Sequence, residues 1–339
     1  MQTVLITGAT GFIGRRLVES LRQKNVTVKC LVRPTSKISP LQKLGVEIIV
    51  GSIDRPETFQ SALEGCDTVI HLAGLTHSVD RNELYRVNSE ACGKLASVCC
   101  EQRFSPRIIY VSSVAAAGPP PSGKLVRDES DPAQPVSDYG RSKWQGEQHW
   151  RSYADRLRIT IVRPGIVYGP GDAVLAELIR SIYRWRLHVV IGFRTPPLSL
   201  IHVDDLIELI IHAADKGETI TRAESESTLS QGIYFACDDS AYPNYWAFGK
   251  QIARSLDRSV LVLPLWRWVG RSVAWTVQTV SRCFGMNAFL TVDKIREATA
   301  RSWAVSSEKA RKHLDFQPKR SLDSSLRETT SWYVDNNWV

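Results

Sequence analysis

The 339 residues predict a doubly wound α/β protein: a parallel sheet covered by helices on both faces, followed by a smaller, mostly helical C-terminal lobe. Three observations carry this. Short β-rich apolar runs alternate with helical patterns through the first half of the chain. Those runs are apolar throughout instead of alternating with polar residues, which is the pattern of parallel strands buried on both faces. After residue 163 the pattern turns irregular, with helical stretches that contain Pro and Trp.

In chain order, strands are expected at Thr3–Thr7, Thr27–Val32, Glu47–Val50, Thr68–Leu72, Arg107–Ser112 and Ile159–Val162. Helices are expected between them at Gly14–Lys24, Glu57–Leu63, Asn82–Gln102 and Tyr139–Ala154. Two later apolar runs, Leu198–Val203 and Gly232–Ala236, are candidates to return to the sheet. Residues 118–138 are rich in Pro, Gly, Ser and Asp and read as a surface loop. The division that follows is a sheet domain over 1–170, with returning segments near 198–215 and 232–240. A lobe would then be built from 171–197 and 241–339. Ligands of such a sheet bind at the carboxyl ends of its strands.

Apolar residues make up 43% of the chain and charged residues 23%, which excludes a disordered protein. The formal charge of +8 is unevenly spread. Residues 1–46 hold eight basic side chains against one acid, Glu19, and residues 258–292 hold four arginines and no acid. Two local basic patches point to anionic ligands at two places and not to a general nucleic-acid binder. The seven cysteines show no C-x-x-C pair and no grouping with His, so reduced thiols, no metal and a cytoplasmic location are expected. Met1 runs almost directly into Val4-Leu5-Ile6 and then glycines, without signal-peptide character, and no apolar run is long enough to span a bilayer.

TGATGFIG, residues 7–14, follows a strand and opens a helix. Gly8, Gly11 and Gly14 are spaced so that the first two bring backbone amides up to a pyrophosphate and the third permits close helix–strand packing. Thr10, Phe12 and Ile13 complete the loop and the helix N-terminus that faces the anion. This is a dinucleotide site, and the sheet is accordingly of the Rossmann type. About 20 residues on, where a carboxylate would read the adenosine ribose, the chain has Leu31-Val32-Arg33-Pro34. Arg33 offers a planar fork of donors to a 2′-phosphate, so NADP(H) is the preferred cofactor and NAD(H) the alternative.

Tyr139-Gly-Arg-Ser-Lys143 places a phenol and an ammonium four residues apart, on one helix face, where the cation is expected to lower the phenol's pKa. Ser113 ends a strand 26 residues earlier. With DTVIHLAG (67–74), YRVN (85–88), IIYVSSVAAAG (108–118), RPGIVYGPGD (163–172) and HVDDL (202–206), these motifs resemble, in order, the extended short-chain dehydrogenases/reductases of the NAD-dependent epimerase/dehydratase superfamily. The resemblance implies Tyr139 as acid/base, Lys143 as the residue that holds the nicotinamide ribose, and Ser113 as the hydrogen-bond partner of the reacting oxygen. It further implies Ile53 and Asp54 beside the adenine, Leu72 and Ala73 behind the adenosine half, and Pro164 and Ile166 along the nicotinamide. Asn88 resembles a helix asparagine of structural rather than catalytic use. His202 and Asp204 lack metal-site spacing and are expected at the lobe junction.

Ala116-Ala117-Gly118 stands where nucleotide-sugar epimerases carry V-Y-G. The chain is closer in motif to the 3β-hydroxysteroid dehydrogenase and dihydroflavonol reductase branch, which implies a secondary alcohol or ketone of an apolar small molecule as substrate. Two rivals are a nucleotide-sugar epimerase or dehydratase and a non-catalytic NAD(P)-binding regulatory protein. In LPLWRWVGRSVAWTVQTVSRC (263–283), a helical reading gathers Arg267, Arg271, Gln278 and Arg282 into a narrow stripe, with Trp266, Trp268, Trp275 and valines over much of the rest. This helix is a candidate cap over an apolar substrate or a contact with an anionic membrane surface; a buried lobe helix with one wet edge is the alternative. Members of the family are often dimers, so a homodimer is a further expectation.

Overall fold

The computed structural model describes residues 1–78, 80–222, 228–283 and 291–339, without the side chains of 271, 278–283 and 292. The strands are β1 (Thr3–Thr7), β2 (Thr27–Val32), β3 (Glu47–Val50), β4 (Thr68–His71), β5 (Arg107–Val111), β6 (Ile159–Pro164), β7 (Ile166–Tyr168), β8 (Leu187–Ile191), β9 (Leu200–His202), β10 (Ile233–Ala236) and β11 (Leu261–Leu265). Among the described residues, seven of them form one parallel sheet in the order β10-β6-β5-β4-β1-β2-β3. The order reverses between β1 and β4, where β1 pairs with both β2 and β4. That reversal is the topological switch point at which such sheets bind ligands.

The apolar runs form central strands because both faces are covered. Val4 and Ile6 point into one core with Leu17, Leu21, Leu206 and Ile210, whereas Leu5 points into the other with Leu95, Tyr110 and Trp150. The period of two in a strand thus divides one run between two cores. Helix Phe12–Gln23 packs on the first face with helix Val203–Lys216, and Ala91–Cys100 packs on the second beside Asp138–Arg151. A third core, built on Tyr168, Ile179, Phe248, Ile252, Leu326 and Tyr333, belongs to helices Ala173–Trp185, Tyr245–Ser255 and Leu322–Asp335.

Several expectations need correction. Leu198–Val203 does not rejoin the large sheet: β9 pairs with β7 in a separate ribbon, and only Gly232–Ala236 returns, as edge strand β10. Asn82–Gln102 is helical as expected, over Arg81–Cys100, but not a uniform α-helix. It runs Arg81–Tyr85, then a wider π-turn over Arg86–Glu90, then Ala91–Cys100. Such turns are commonly placed at functional sites, and this one carries Asn88. Glu57–Leu63 folds as two short 3₁₀ turns. Residues 263–265 of the Trp-rich segment belong to β11, and its helix starts only at Arg267. Pro264 has no amide to give a helix, and β11 pairs on one side alone. The 118–138 segment is pinned instead of lying freely on the surface. Its Arg127 is fully buried, donates to the carbonyls of Gly118 (3.3 Å) and Asp131 (3.1 Å), and also reaches those of Pro119 and Pro132.

Candidate active site

The cradle at the switch point is set by glycines. Gly8 has φ +76°, and a Cβ on it would lie 2.7 Å from the Ala73 amide nitrogen. A Cβ on Gly14 would lie 2.2 Å from the Gly8 carbonyl oxygen. Any side chain at either position would push the β1 loop off the end of β4 or off its own helix. Gly11 caps the helix without a side-chain acceptor, and no acid stands in the first turn. Its first amides and positive dipole end therefore lack an internal partner, which suits an anion. Thr10, Phe12 and Ile13 are partly exposed around this opening. Thr7 Oγ1 ties the cradle to the next strand, accepting from the Ala73 amide at 3.2 Å and lying 2.7 Å from His71 Nδ1.

The remaining sequence-selected residues follow the carboxyl ends of adjacent strands. Arg33 follows β2, is exposed and makes no contact with an acid among the described residues. Ile53 and Asp54 follow β3. One oxygen of Asp54 is paired with Arg86, and the other, Oδ1, is buried without a hydrogen bond, 3.9 Å from Lys94 Nζ. Such an orphaned acceptor fits an amine donor such as that of adenine. Leu72 and Ala73 follow β4, and Pro164 and Ile166 flank the end of β6. The cradle, the orphaned Asp54 oxygen and the free Arg33 together fit an NAD(P) cofactor.

Ser113 follows β5 and caps the short helix Val114–Ala117, accepting from the Ala115 amide at 3.1 Å. Tyr139 and Lys143 lie one turn apart on helix Asp138–Arg151. Burial pushes the Tyr139 phenol up to about 12, and a hydrogen bond from Ser113 acts in the opposite direction. The expected lowering of the phenol by Lys143 is not found. The ammonium is drawn instead to the end of β5, where it donates to the Val111 carbonyl at 2.8 Å and stands 4.4 Å from the Tyr110 ring centre. Burial lowers Lys143 to about 8, partly offset by Cys92 and Glu147. His71, buried near Lys143, is lowered by burial and by that cation to about 3 and is neutral.

Three further groups hold this constellation: Glu147 and Asp293, which the sequence did not single out, and Asn88, which it did. Glu147, one turn beyond Lys143, accepts from Arg163 at 2.9 and 2.6 Å and from Ser112 Oγ at 2.5 Å. This buried bidentate bridge ties the helix to β6 and β5. Its i+4 spacing from Lys143 was the available signal. Asn88 donates to the Leu75 carbonyl (2.8 Å) and Ser142 Oγ (3.0 Å), and accepts from the Leu75 amide (2.8 Å). Asp293 accepts from the Asp138 amide at 2.8 Å and the Tyr139 amide at 3.2 Å, capping the helix from the lobe. A separation of more than 150 residues leaves no sequence signal for that contact.

Beside Tyr139 lies a cavity of about 100 Å³, lined by Thr76, His77, Arg81, Asp138, Lys294 and Glu297 among others. Most of its lining residues are polar or charged, but its cations are matched: Arg81 lies 3.2 Å from Asp138, and Lys294 lies 3.2 Å from Glu297. His202 caps helix Val203–Lys216, accepting from the Asp204 amide at 3.4 Å, and Asp204 pairs with Arg16 at 2.6 Å.

Residues 4–225 match the model of the NAD-dependent epimerase/dehydratase family. A ceramide reductase of Caulobacter vibrioides is 33% identical over 60% of this chain and 57% of that protein. A decarboxylating sterol-4-alpha-carboxylate 3-dehydrogenase of Dictyostelium discoideum is 23% identical over 97% of this chain and 100% of that one. The UDP-glucose 4-epimerase of Thermotoga maritima, solved with UDP-glucose, superposes with a TM-score of 0.77 at 18% identity, over 99% of this chain and 100% of that chain.

Proposed function

This chain belongs to the NAD-dependent epimerase/dehydratase family, and from that premise we propose that it interconverts a secondary alcohol and a ketone on an apolar, lipid-like substrate. The observation that carries the chemistry is the meeting of Ser113, Tyr139 and Lys143 at the end of β5, on the same sheet edge as the Gly8–Gly14 cradle. The bound nicotinamide supplies a carbon that gives or accepts hydride. The Tyr139 phenol gives a proton to the substrate oxygen in reduction and takes it in oxidation. Ser113 orients that oxygen and the phenol together. Lys143, held by Val111, is placed for a ribose hydroxyl and supplies a positive field at the site.

The apolar substrate class is supported by the likeness to a ceramide reductase and a sterol dehydrogenase. The matched cations of the cavity also leave no spare positive group there for a diphosphate, among the described residues. A nucleotide-sugar epimerase is the second reading, favoured by the polar lining of that cavity. The cofactor is proposed to be NADP(H), through Arg33, which no acid neutralises among the described residues.

The test is cofactor oxidation by the purified protein, with NADPH and NADH, against long-chain keto lipids, ketosteroids, flavonoid ketones and nucleotide sugars. Turnover of an apolar ketone is expected, and epimerisation of a nucleotide sugar with no ketone reduction would overturn the reading. Tyr139→Phe is expected to lower kcat/KM by on the order of 100-fold or more. Full turnover by that variant sinks the proton-transfer role. Arg33→Asp is expected to invert the preference for NADPH over NADH, and an unchanged preference refutes the assignment of Arg33.

A further inference from the structure

The lobe carries an apolar surface that the proposed chemistry does not use. In the β8–β11 ribbon, Leu187, Val189 and Ile191 pair with Leu261, Leu263 and Leu265, so six aliphatic residues share one face. The opposite face of β8 turns inward: His188 and Val190 are fully buried, and His188 Nε2 lies 2.9 Å from the Tyr245 carbonyl. On the aliphatic face Leu261 is 67% exposed. The surface continues past β8 to Phe193, whose ring stands edge-on to Trp266 at 5.2 Å. It then passes to the helix Arg267–Cys283, which folds over the ribbon: a Cβ on Gly270 would lie 2.9 Å from Ile191 Cδ1.

That helix is not the buried lobe helix of the alternative reading. Among the described residues between Trp266 and Val277 it buries only Gly270 and Ala274, while Trp268 is 67% and Trp275 65% exposed. Trp185 stands exposed just before β8. Exposed Arg184 and Arg186 flank one end of the ribbon, and Arg194 and Arg267 the other. The arginine stripe of the sequence is legible only at Arg267, because the side chains of Arg271, Gln278 and Arg282 lie outside the described residues. Residues 180–200 and 245–283 together contain ten Lys and Arg and a single acid, Asp257.

We propose that this face docks on an anionic phospholipid bilayer, with the tryptophans and aliphatic ribbon in the headgroup–acyl boundary and the arginines on lipid phosphates. Exposed tryptophans and aliphatic side chains rimmed by cations, with almost no acid, match that surface in both polarity and charge. A protein partner would have to be acidic around an apolar centre, and a second copy of this chain would set arginines against arginines. The placement also has a use. A Cβ on Gly270 would lie 3.7 Å from Ile295 Cδ1, and Ile295 shares a helix with Asp293, which caps the Tyr139 helix, and with Lys294, which lies 5.7 Å from the Tyr139 ring centre. The docked face is thus one helix away from Tyr139, and an apolar substrate would reach the site from the lipid instead of through water.

The docking can be measured without any substrate, so its failure leaves the proposed reaction standing. The full chain is sedimented with vesicles of phosphatidylcholine alone or mixed with phosphatidylglycerol. Binding to the anionic vesicles is expected, severalfold weaker at high salt, and little binding to the neutral ones. Trp266→Ala/Trp268→Ala is expected to lose about tenfold in vesicle affinity while still binding NADPH. Arg184→Glu/Arg186→Glu should weaken binding to the anionic vesicles only. No sedimentation with anionic vesicles at low salt overturns the proposal, as does vesicle binding that the tryptophan pair does not alter. A wild-type dimer in ultracentrifugation that the tryptophan variant converts to monomer would also overturn it, assigning the face to self-association.

Discussion

Lys143 shows how position along a helix and position in the fold differ in what they do to a charge. One turn from Tyr139, it was expected to act on the phenol, yet its ammonium is bonded to Val111 and stacked on Tyr110. Burial lowers its pKa to about 8, so the protonated fraction falls as pH rises past 8. Reduction of a ketone, which needs the positive field and a protonated Tyr139, is therefore expected to show kcat/KM declining above about pH 8. In Lys143→Arg, whose guanidinium stays charged, that limb should disappear from the pH–rate profile. An unchanged limb would mean that another group titrates there. The same scale accounts for much of the basic N-terminal segment. Arg16 pairs with Asp204, Arg22 serves the carbonyls of Leu44 and Val26, and Lys29 those of Ala62 and Glu64. Among the described residues Arg33 keeps no such tie, which is why the proposed cofactor preference rests on it.

Among the elements, the 118–138 segment departs most from its expected character. Its composition is that of a solvated turn, but it is threaded under the lobe and holds β10 through Glu129, which accepts from the Phe235 amide at 2.8 Å. Burial raises the Glu129 carboxyl to about 7. Its folded pKa lies above its unfolded value, so the folded protein binds the extra proton between about pH 4.5 and 7, and stability falls as pH rises through that window. Ionising this buried carboxyl in the folded protein costs on the order of 3 kcal/mol of stability by pH 8. Glu129→Gln keeps the acceptor for Phe235 without the charge. It is expected to raise the thermal midpoint at pH 8 and leave it nearly unchanged at pH 4.5; equal shifts at both would locate the cost elsewhere. Loop composition could not reveal this, because burial of a polar segment depends on partners supplied by Arg127 and by a strand more than 100 residues away.

At the scale of the whole molecule, the lobe does more than enclose the site. Asp293 spans from the lobe to the amides of Asp138 and Tyr139, so the helix that presents Tyr139 is capped from outside its own sheet. Asp293→Ala is expected to lower kcat/KM roughly tenfold, as loss of a cap of about 1 kcal/mol loosens that turn, while NADPH affinity, set by the distant cradle, holds. Parallel losses in both would show instead that the whole fold has weakened. No helix among the described residues is long and apolar enough to cross a membrane.

The sheet strands were legible to within two residues at either end because each buried central strand must be apolar along its whole length, a demand that composition alone expresses. The glycine cradle was legible for a similar reason: positive φ and contacts under 3 Å exclude side chains, and the excluded side chains leave glycines in the sequence. Tertiary structure decided the rest. It tied Lys143 to the Val111 carbonyl, orphaned one oxygen of Asp54, buried the loop around Arg127 and brought Asp293 to the Tyr139 helix. It also turned Val189, Leu261, Leu263 and a row of tryptophans outward. Each of these depends on which groups meet across long separations, and on whether water or protein faces them, and no local pattern of residues encodes that.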